Sequence, residues 1–272
     1  MSPSVFRELV WSRSRVLYRD MPWRDEPTFY HVLVSEIMLQ QTQVSRVRIK
    51  YASFMDSFPT VAALANAPLA DVLREWQGLG YNRRAKYLLQ AAQQVTLFGE
   101  PTTTEGLAEL PGIGRNTAAA MMNYVYRTPT PFVETNIRTV YFHHFFSTDQ
   151  SVSDADILSQ VEETMDADHP REWFWALMDY GADLKSKGLG RLDMSRHYRK
   201  QPPLKGSVRE MRGCIIRELS RGPSELKELY HLSKDTSRYS IAIQGLAKEG
   251  LIIQKNSVFE LTNHGQMRDN IT

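Results

Sequence analysis

Two carboxyl groups in this sequence stand in surroundings that should shift their pKa values in opposite directions. Glu36 falls inside the apolar stripe of a helix predicted over residues 28–44, so loss of water should raise its pKa. Glu134 directly precedes a helix predicted over residues 137–146, whose dipole should favour the charged carboxylate. An acid that keeps its proton and a carboxylate that keeps its charge can together break a glycosidic bond. A buried glutamate can also be a hydrogen-bonded structural residue, so the pair indicates this chemistry without requiring it.

A glycine turn precedes Glu134 in the chain. Residues 110–114 read LPGIG, and glycines adopt backbone angles that other residues avoid. The turn leads into a helix predicted over residues 115–126, whose first N–H groups lack partners and can bind a phosphate. The alternative is that LPGIG is only a connector and Glu134 only a helix cap. The residues expected at the phosphate are Gly112, Ile113, Gly114, Arg115, Asn116 and Thr117.

A second glycine turn, residues 76–81, is followed by a run of cations. A run of charges usually marks a solvated helix face. Beside two glycine turns, contact with a nucleic-acid backbone is the better interpretation. The cations expected at the backbone are Arg83, Arg84 and Lys86.

The composition excludes several classes of protein. Apolar residues make up 42% of the 272 residues, but no stretch is long and apolar enough to span a bilayer. The first residues show no signal-peptide pattern, so we expect a cytoplasmic, nucleoid-associated protein with no membrane partner. The net charge of +2 permits nucleic-acid binding without demanding it. The one cysteine, Cys214, excludes an internal disulfide and any zinc or iron–sulfur site built from several thiolates.

Helices must position these groups through the first two hundred residues, because no strand alternation is evident before residue 250. Residues 185–205 are rich in Lys, Arg, Gly and Pro and predict a basic, irregular linker. After it, three helices and two short strands, residues 251–253 and 258–261, predict a winged helix-turn-helix. Many such modules bind protein, and others bind DNA. The residues of its third helix expected in a DNA groove are Lys234, Thr236, Ser237 and Arg238.

Four motifs in fixed order indicate a family. They are residues 22–24 (PWR), 35–44 (SEIMLQQTQV), 78–81 (GLGY) and 110–114 (LPGIG). Together they resemble the MutY-type adenine DNA glycosylases, which belong to the superfamily of helix-hairpin-helix glycosylases that includes endonuclease III. The resemblance covers residues 1–185. It implies an all-helical, two-lobed fold with a base-flipping cleft between a lobe of residues 25–133 and a lobe of residues 1–24 and 134–200. The winged helix, residues 206–272, would follow.

The resemblance also implies a role for each matched residue. Glu36 matches the general acid that protonates the departing adenine, and Asn136 matches an asparagine near the sugar. Gly112 and Gly114 match the hairpin whose amides hold a phosphate, often through a monovalent cation. Asn116 stands where the endonuclease III branch has a lysine, so neither a Schiff base with the sugar nor a lyase step is expected. The residues expected to enter the base stack as a wedge and to contact the lesion are Gln40, Gln41, Tyr81 and Asn82. Asn82 stands where the family often has a tyrosine.

Three features depart from the family pattern. The residue at the position of the catalytic carboxylate is Glu134 rather than aspartate, and Thr135 replaces a glycine. The extra methylene of glutamate moves the charge by about 1.5 Å. A displacement of a catalytic group by about 1 Å can lower the rate about a hundredfold. The family's cluster cysteines are absent, with Lys185 in place of the first, so no iron–sulfur cofactor is expected. The family's domain for oxidised guanine is replaced by the winged helix. The basic run expected to take over the cluster loop's DNA contacts is Lys185, Lys187, Arg191, Arg196, Arg199 and Lys200.

The sequence therefore predicts a monomeric, monofunctional DNA glycosylase that acts on double-stranded DNA. The base removed is expected to be adenine opposite guanine or 8-oxoguanine, in base excision repair. Two alternatives stay open. One is a mismatch glycosylase for thymine or uracil. The other is a DNA-binding protein whose catalysis is weakened at Glu134 and which acts through the winged helix.

Overall fold

The structure, a computed structural model, describes residues 1–146, 152–190, 203–232 and 235–263. These residues are mainly helical, and their strands form one three-stranded sheet in the C-terminal part. The prediction of a helical protein with a small β wing is confirmed. Within the described ranges, no helix is both long and apolar enough to cross a membrane. The chain divides into two compact units.

Helices follow one another along the described part of the first 190 residues. Several begin with proline in the first turn, where its missing N–H has no helical partner to lose. In chain order they are α1 (Pro3–Leu17), α2 (Pro22–Asp25), α3 (Phe29–Leu39), α4 (Val44–Ser57), α5 (Val61–Ala65), α6 (Leu69–Glu75), α7 (Arg83–Phe98), α8 (Thr104–Ala108), α9 (Arg115–Tyr124), α10 (Thr135–His144), α11 (Asp154–Thr164) and α12 (Pro170–Ser186).

The first unit comprises Met1–Val32, Thr102–Ala108 and Ile113–Gln201. Its core is aromatic, with Phe6 of α1 lying edge-on to Trp173 of α12 and tilted against Tyr141 of α10. All three side chains are fully buried. Aromatic side chains of this size bury the largest apolar areas in a core. The helix α12 is therefore the centre of this unit, with α1 and α10 packed against it.

A buried ion pair joins two distant segments of the first unit. Arg24 of the PWR motif donates from Nη1 and Nη2 to Oδ2 and Oδ1 of Asp179, at 2.7 and 3.0 Å. Nε of Arg19 donates to the same carboxylate at 2.6 Å. The Arg24 and Asp179 side chains are almost completely buried, so removal of either would leave an uncompensated charge. The pair fixes α2 and the segment before it to the middle of α12.

The second unit comprises Leu33–Pro101, Glu109–Gly112 and Pro202–Thr272. Trp76 and Phe54 pack at right angles within it, with ring centroids 6.1 Å apart. After residue 202 the described part of the chain adds three helices and three strands to this unit. They are α13 (Val208–Leu219), β1 (Ser224–Glu225), α14 (Leu226–Leu229), α15 (Thr236–Lys248), β2 (Ile252–Lys255) and β3 (Val258–Leu261).

The small sheet has the strand order β1-β3-β2, with both pairings antiparallel. Ile252 pairs with Leu261 on one side of β3, and Ser224 pairs with Phe259 on the other. The helices and strands follow in the order of a winged helix, as the sequence predicted. The strand β1 was not predicted, because two residues form a strand only when the partner strand is present.

The helix α3 ends at Leu39, whereas the sequence predicted a helix to residue 44. Gln41 has φ +54°, in the left-handed region that stops a helix. Nη1 of Arg84 donates to the carbonyl oxygen of Ile37 at 2.7 Å. Because a side chain from α7 satisfies carbonyl groups in the last turn, α3 does not need further helical residues. The helical prediction for the segment after Leu39 was wrong.

The winged helix is held against α7 by polar contacts inside the second unit. Glu249, which follows α15, accepts a hydrogen bond from Arg83 at 2.7 Å and also pairs with Arg212. Its backbone carbonyl accepts from Nζ of Lys86 at 2.7 Å. One residue of the winged helix thus binds two cations of α7.

Candidate functional site

Glu134 is the residue immediately before α10, at the position that the sequence predicted for the start of this helix. Its backbone is extended (φ −116°, ψ 171°), and its side chain makes no capping hydrogen bond. Nδ2 of Asn116, in the first turn of α9, donates to the carbonyl oxygen of Val133 at 2.7 Å. Asn116 therefore positions the backbone that carries Glu134. Its side-chain amide is used inside the protein, which leaves its backbone N–H for the phosphate expected there.

The pKa of Glu134 is raised, contrary to the expectation from the helix dipole. Burial is the larger cause, and the positive charge of Arg138 opposes it. Arg138 also pairs with Asp154 at 2.7 Å, so two carboxyl groups share its charge. A helix dipole contributes on the order of 0.5 kcal/mol, whereas desolvation can shift a carboxyl pKa by several units. The prediction was wrong because the sequence shows the helix end but not the burial.

Asn136 lies in the first turn of α10, and α12 packs closely against it. Its Oδ1 accepts a hydrogen bond from Nζ of Lys185 at 3.4 Å. Burial lowers the pKa of Lys185, and the nearby charge of Arg19 adds to this effect. The backbone of Asn136 faces Gly181 of α12, where an added Cβ would collide with the Asn136 carbonyl group. Gly181 and Lys185 together fix the position of Asn136.

Alanine in place of Gly181 is expected to lower the free energy of unfolding by about 1–3 kcal/mol, because the methyl group overlaps the backbone of Asn136. Alanine otherwise favours a helix by about 1 kcal/mol over glycine. Urea denaturation measures the difference. Gly213→Ala in α13 is the matched control, since a Cβ there meets open space, and it should be neutral or stabilising. Equal stability of the two variants would contradict the close approach of α10 and α12.

Glu36 lies on α3 among buried residues, as the apolar stripe predicted. Leu33, Ser35 and Ile37 are buried, whereas Glu36 itself is half-buried. Its carboxyl group therefore lies at the edge of the core of the second unit and keeps access to solvent. Its raised pKa stays a prediction.

The LPGIG turn lies between α8 and α9, and only one of its glycines needs to be glycine. Gly112 has φ +83°, and an added Cβ would lie 3.0 Å from Cβ of Tyr87. Gly114 is extended (φ −95°, ψ 173°), a conformation open to any residue, so that part of the prediction was wrong. The carbonyl oxygen of Gly112 accepts a hydrogen bond from Nε2 of Gln40 at 3.0 Å. Gln40 thus ties the end of α3 to the turn.

The other residues expected at the phosphate differ in exposure. Arg115 and Asn116 are exposed, whereas Ile113 and Thr117 are buried. The groups able to meet a phosphate are therefore the N–H groups of the first turn of α9 and the Arg115 side chain. The monovalent cation that the resemblance implies at this turn stays a prediction.

Arg84 is a structural residue and not the DNA contact that was expected. Its side chain is buried, and Nη2 donates to the carbonyl oxygens of Leu79 and Gly80, both at 3.1 Å. Its guanidinium carbon lies 5.4 Å from the ring centre of Trp76 and 5.5 Å from that of Tyr81. Burial lowers the pKa of Arg84 to about 10, so the group stays charged at neutral pH. The prediction was wrong because acceptors in three segments surround this one cation of the run.

Arg83 and Lys86 were also expected at the DNA backbone. Within the protein, both bind Glu249 of the winged helix. The guanidinium of Arg83 stays about half exposed, while Lys86 is half-buried. These two cations of the run therefore hold the winged helix against α7. Contact of Arg83 and Lys86 with DNA stays a prediction.

Methionine in place of Arg84 is expected to cost about 2–4 kcal/mol of unfolding free energy, because several buried carbonyl groups lose their donor. The slope of DNA affinity against salt concentration should not change. Arg115→Met is the matched control: its stability should be near wild type, and its salt slope should fall by about one. Chemical denaturation and fluorescence anisotropy measure the two quantities. A stable Arg84→Met protein with a reduced salt slope would restore the phosphate assignment.

The residues expected at the lesion lie together in the second unit. Gln40, Gln41, Tyr81 and Asn82 all line one cavity. Gln41 and Tyr81 both have positive φ, +54° and +48°. This conformation costs a residue other than glycine about 1 kcal/mol or more. The backbone therefore turns sharply at both positions, next to the cavity.

The winged-helix residues expected in a groove lie at the start of α15, except Lys234, which falls outside the described residues. Thr236 and Ser237 are exposed. The Ser237 hydroxyl donates to Oδ1 of Asp235 at 2.8 Å, and Nη2 of Arg238 donates to Oδ2 at 3.0 Å. Asp235 therefore offsets the positive charge at this end of the helix. DNA contact by these residues stays a prediction.

The residues present do not fit a cysteine-ligated iron–sulfur cluster. Lys185 occupies the last turn of α12, and the one cysteine of the sequence, Cys214, lies on α13 in the other unit. Of the basic run, Lys187 pairs with Asp183 at 2.7 Å. The members of that run outside the described residues are Arg191, Arg196, Arg199 and Lys200.

Several charged residues that bind the predicted residues, or bind one another beside them, were not identified from the sequence. Asp179 was assigned no role from the sequence. Arg209 and Arg212 belong to an amphipathic helix whose polar face gave no sign of a partner, and Glu249 follows the end of another helix. A lone charged residue at such positions carries no local signal of its partner.

Comparison with known proteins bears on the segment that holds most of these residues. Residues 34–164 match the model of the HhH-GPD superfamily base excision DNA repair proteins. The adenine DNA glycosylase of Mycolicibacterium smegmatis is 44% identical over 128 residues, which cover 45% of this chain and 43% of the relative. The human adenine DNA glycosylase is 42% identical over 134 residues, covering 45% of this chain and 24% of the relative. The chain thus matches less than half the length of these curated relatives.

Solved structures share the fold. A thermostable thymine-DNA glycosylase has a TM-score of 0.59 at 22% identity, covering 66% of this chain and 86% of that one. Endonuclease III, trapped in a covalent complex with DNA, has a TM-score of 0.56 at 14% identity, covering 76% and 92%. At such identities the likeness shows the fold alone.

Proposed function

Because this chain is a MutY-type member of the helix-hairpin-helix, endonuclease III superfamily, we propose that it is a monofunctional DNA N-glycosylase. It acts as a monomer on double-stranded DNA, in base excision repair, and releases adenine opposite guanine or 8-oxoguanine. The observation that carries the proposal is the family match over residues 34–164, which contains both Glu36 and Glu134. Both residues also have the chemistry that the reaction needs.

Glu36 supplies the proton for the departing base. Its half-buried carboxyl group, in the acid form, donates to a ring nitrogen of the extruded adenine. The electron pair of the bond between C1′ and the base then leaves with a neutral base. Gln41 enters the base stack and favours extrusion of the target nucleotide.

Glu134 meets the charge that develops on the sugar. In its ionised form it stabilises the cation at C1′ or bonds to C1′ transiently. Water then adds hydroxyl to C1′, its second proton goes to solvent, and an abasic sugar remains. Asn136, two residues after Glu134 in the chain, contacts the sugar. The hydrogen bond from Asn116 to Val133 keeps Glu134 in place for this step.

A panel of duplexes tests the substrate. Each carries one labelled strand with adenine, thymine or uracil opposite guanine, or adenine opposite 8-oxoguanine, and alkali reveals abasic sites after single-turnover incubation. We expect the two adenine mispairs to be processed at least about tenfold faster than the others. Preferred release of thymine or uracil would replace adenine as the substrate. Tight binding without release from any duplex would favour the DNA-binding alternative over an enzyme.

Borohydride is expected to trap no covalent adduct between the protein and DNA that contains an abasic site. Trapping requires an amine that forms an imine at C1′, and the α9 position of the endonuclease III lysine is Asn116 here. Denaturing gel electrophoresis measures the adduct, and Lys185→Ala is the informative companion, because Nζ of Lys185 bonds to Asn136. An adduct that vanishes in this variant would overturn the monofunctional assignment and identify the amine.

A further inference from the structure

A cavity of about 450 Å³ lies in the second unit, between the loops of the glycosylase-like part and the first helix of the winged helix. One wall comes from the segment after α3 and from the GLGY turn with the start of α7. The other wall comes from α13 and the residue after α15. The lining residues used below are Gln40, Gln41, Tyr81 and Asn82 on the first wall, and Arg209, Arg212, Gly213 and Glu249 on the second.

The cavity carries excess positive charge and groups that read base edges. Four arginines line it, against one carboxylate, Glu249. Three carboxamides, those of Gln40, Gln41 and Asn82, also line it, and a carboxamide group contains both donor and acceptor atoms. Arginine and carboxamide side chains are the groups that pair with the edges of guanine and adenine. An anion that also bears a planar ring with hydrogen-bonding edges matches this lining, and a nucleotide has both features.

Tyr81 links the two walls. Its hydroxyl accepts a hydrogen bond from Nη1 of Arg209 at 2.8 Å, and the guanidinium carbon of Arg209 lies 5.4 Å from the ring centre. The winged helix therefore contacts a residue that the sequence places at the lesion.

The lining does not suit cleavage of a glycosidic bond. Glu249 is its one carboxyl group, and both of its oxygens are engaged by Arg83 and Arg212. Burial pulls the pKa of Glu249 upward, but the hydrogen bonds from the two arginines outweigh it and the pKa is lowered. An ionised, doubly paired carboxylate cannot act as a general acid. A nucleotide in this cavity is therefore held and not cut.

We propose that the cavity binds one nucleotide of DNA that is not cleaved, the one left unpaired opposite the base that is removed. The proposal rests on the proposed function, since extrusion of the target base from the stack leaves the opposite base with no base to pair with. The residues expected to enter the stack, Gln41 among them, form one wall of the cavity, so the unpaired base lies within their reach. The winged helix supplies the other wall, where Gly213 leaves space for the base and Arg209 and Arg212 read its edge.

Two variants test the second wall. Gly213→Leu fills the cavity, because an added Cβ at this helical glycine meets no atom within 4 Å, and leucine is a better helix former than glycine. Arg209→Ala removes the guanidinium beside Tyr81 without adding bulk. Arg217→Ala is the matched control, since it removes an exposed positive charge from the same helix, outside the cavity. Melting temperatures establish that each variant is folded.

The measurement is the affinity of the full chain for duplexes that carry a tetrahydrofuran abasic analogue opposite adenine, cytosine, guanine, thymine or 8-oxoguanine. We expect wild type to bind its preferred duplex about tenfold or more tightly than its poorest. Arg217→Ala should keep this ratio, while Gly213→Leu and Arg209→Ala should bring it close to one. A wild-type ratio of one, or an unchanged ratio in both cavity variants, would overturn the proposal.

Base release measured on the same proteins separates this proposal from the proposed function. If wild type releases adenine but the cavity variants discriminate as wild type does, the cavity assignment fails and the glycosylase assignment stands. If wild type releases no base yet its discrimination depends on Arg209 and Gly213, the glycosylase assignment fails and the cavity remains a nucleotide site.

Discussion

Glutamine in place of Glu36 is expected to slow base release by about a thousandfold, because the amide has the same shape but cannot donate the acid proton. The Kd for the substrate duplex should stay within about threefold of wild type, since no contact to the phosphates is lost. Single-turnover rates and fluorescence anisotropy measure the two effects.

Glu75→Gln is the matched control for this change. Glu75 ends α6 in the same unit and is only partly buried, and its variant should release base at the wild-type rate. Full activity in Glu36→Gln would remove Glu36 from the mechanism. A large loss of DNA binding in that variant would show that Glu36 acts in recognition and not as an acid.

Glutamine in place of Glu134 is expected to reduce base release by about a hundredfold or more, since the sugar cation loses its counter-charge. The same change should raise stability at neutral pH. The folded-state pKa of Glu134 is raised, so the charged form is favoured less in the folded than in the unfolded state. Above the unfolded pKa the carboxyl group therefore costs stability, and this cost grows as pH rises toward the folded pKa.

The pH dependence of the melting temperature tests whether the charged Glu134 side chain destabilises the folded protein. The melting temperature of Glu134→Gln should exceed that of wild type at neutral pH, and the difference should shrink as pH falls and wild-type Glu134 becomes protonated. Wild-type activity should fall over the same acidic range, because the reaction needs the ionised form. Glu162→Gln on α11, exposed and in the same unit, should change neither quantity. A destabilised Glu134→Gln protein would contradict the desolvation argument.

The variant Glu134→Asp tests whether the length of the Glu134 side chain limits the rate of base release. If Glu134→Asp raises the rate of base release, the natural glutamate slows a functioning enzyme by its extra methylene. If the rate falls, the backbone at the start of α10 compensates for the longer side chain. Single-turnover kinetics distinguish the two outcomes.

Local patterns in the sequence were sufficient for most of the helices and for the winged helix. They failed where a distant residue supplies the deciding contact. The helix α3 stops at Leu39 because a guanidinium from α7 satisfies its last turn, and hydrophobic periodicity has no information about that donor. The pairing of Arg83 and Lys86 with Glu249 was not predicted either, because Glu249 lies far from them in the sequence.

The candidate site shows the same division between local and tertiary causes. The positions of Glu134 before α10 and of Gly112 in a tight turn follow from residue type and spacing. The raised pKa of Glu134 follows from burial, which depends on packing in the folded protein. The cavity wall formed by α13 could not be predicted either, because no motif in that helix points to a partner.

The most direct test of the central claim is the identity of the small molecule that leaves the DNA. Mass spectrometry of a single-turnover reaction on a duplex with adenine opposite 8-oxoguanine should detect free adenine, in an amount equal to that of the abasic strand. Glu36→Gln should yield none over the same time. Stable binding of this duplex by the wild-type protein with no free base released, or release of a nucleotide in its place, would contradict N-glycosidic hydrolysis by this protein.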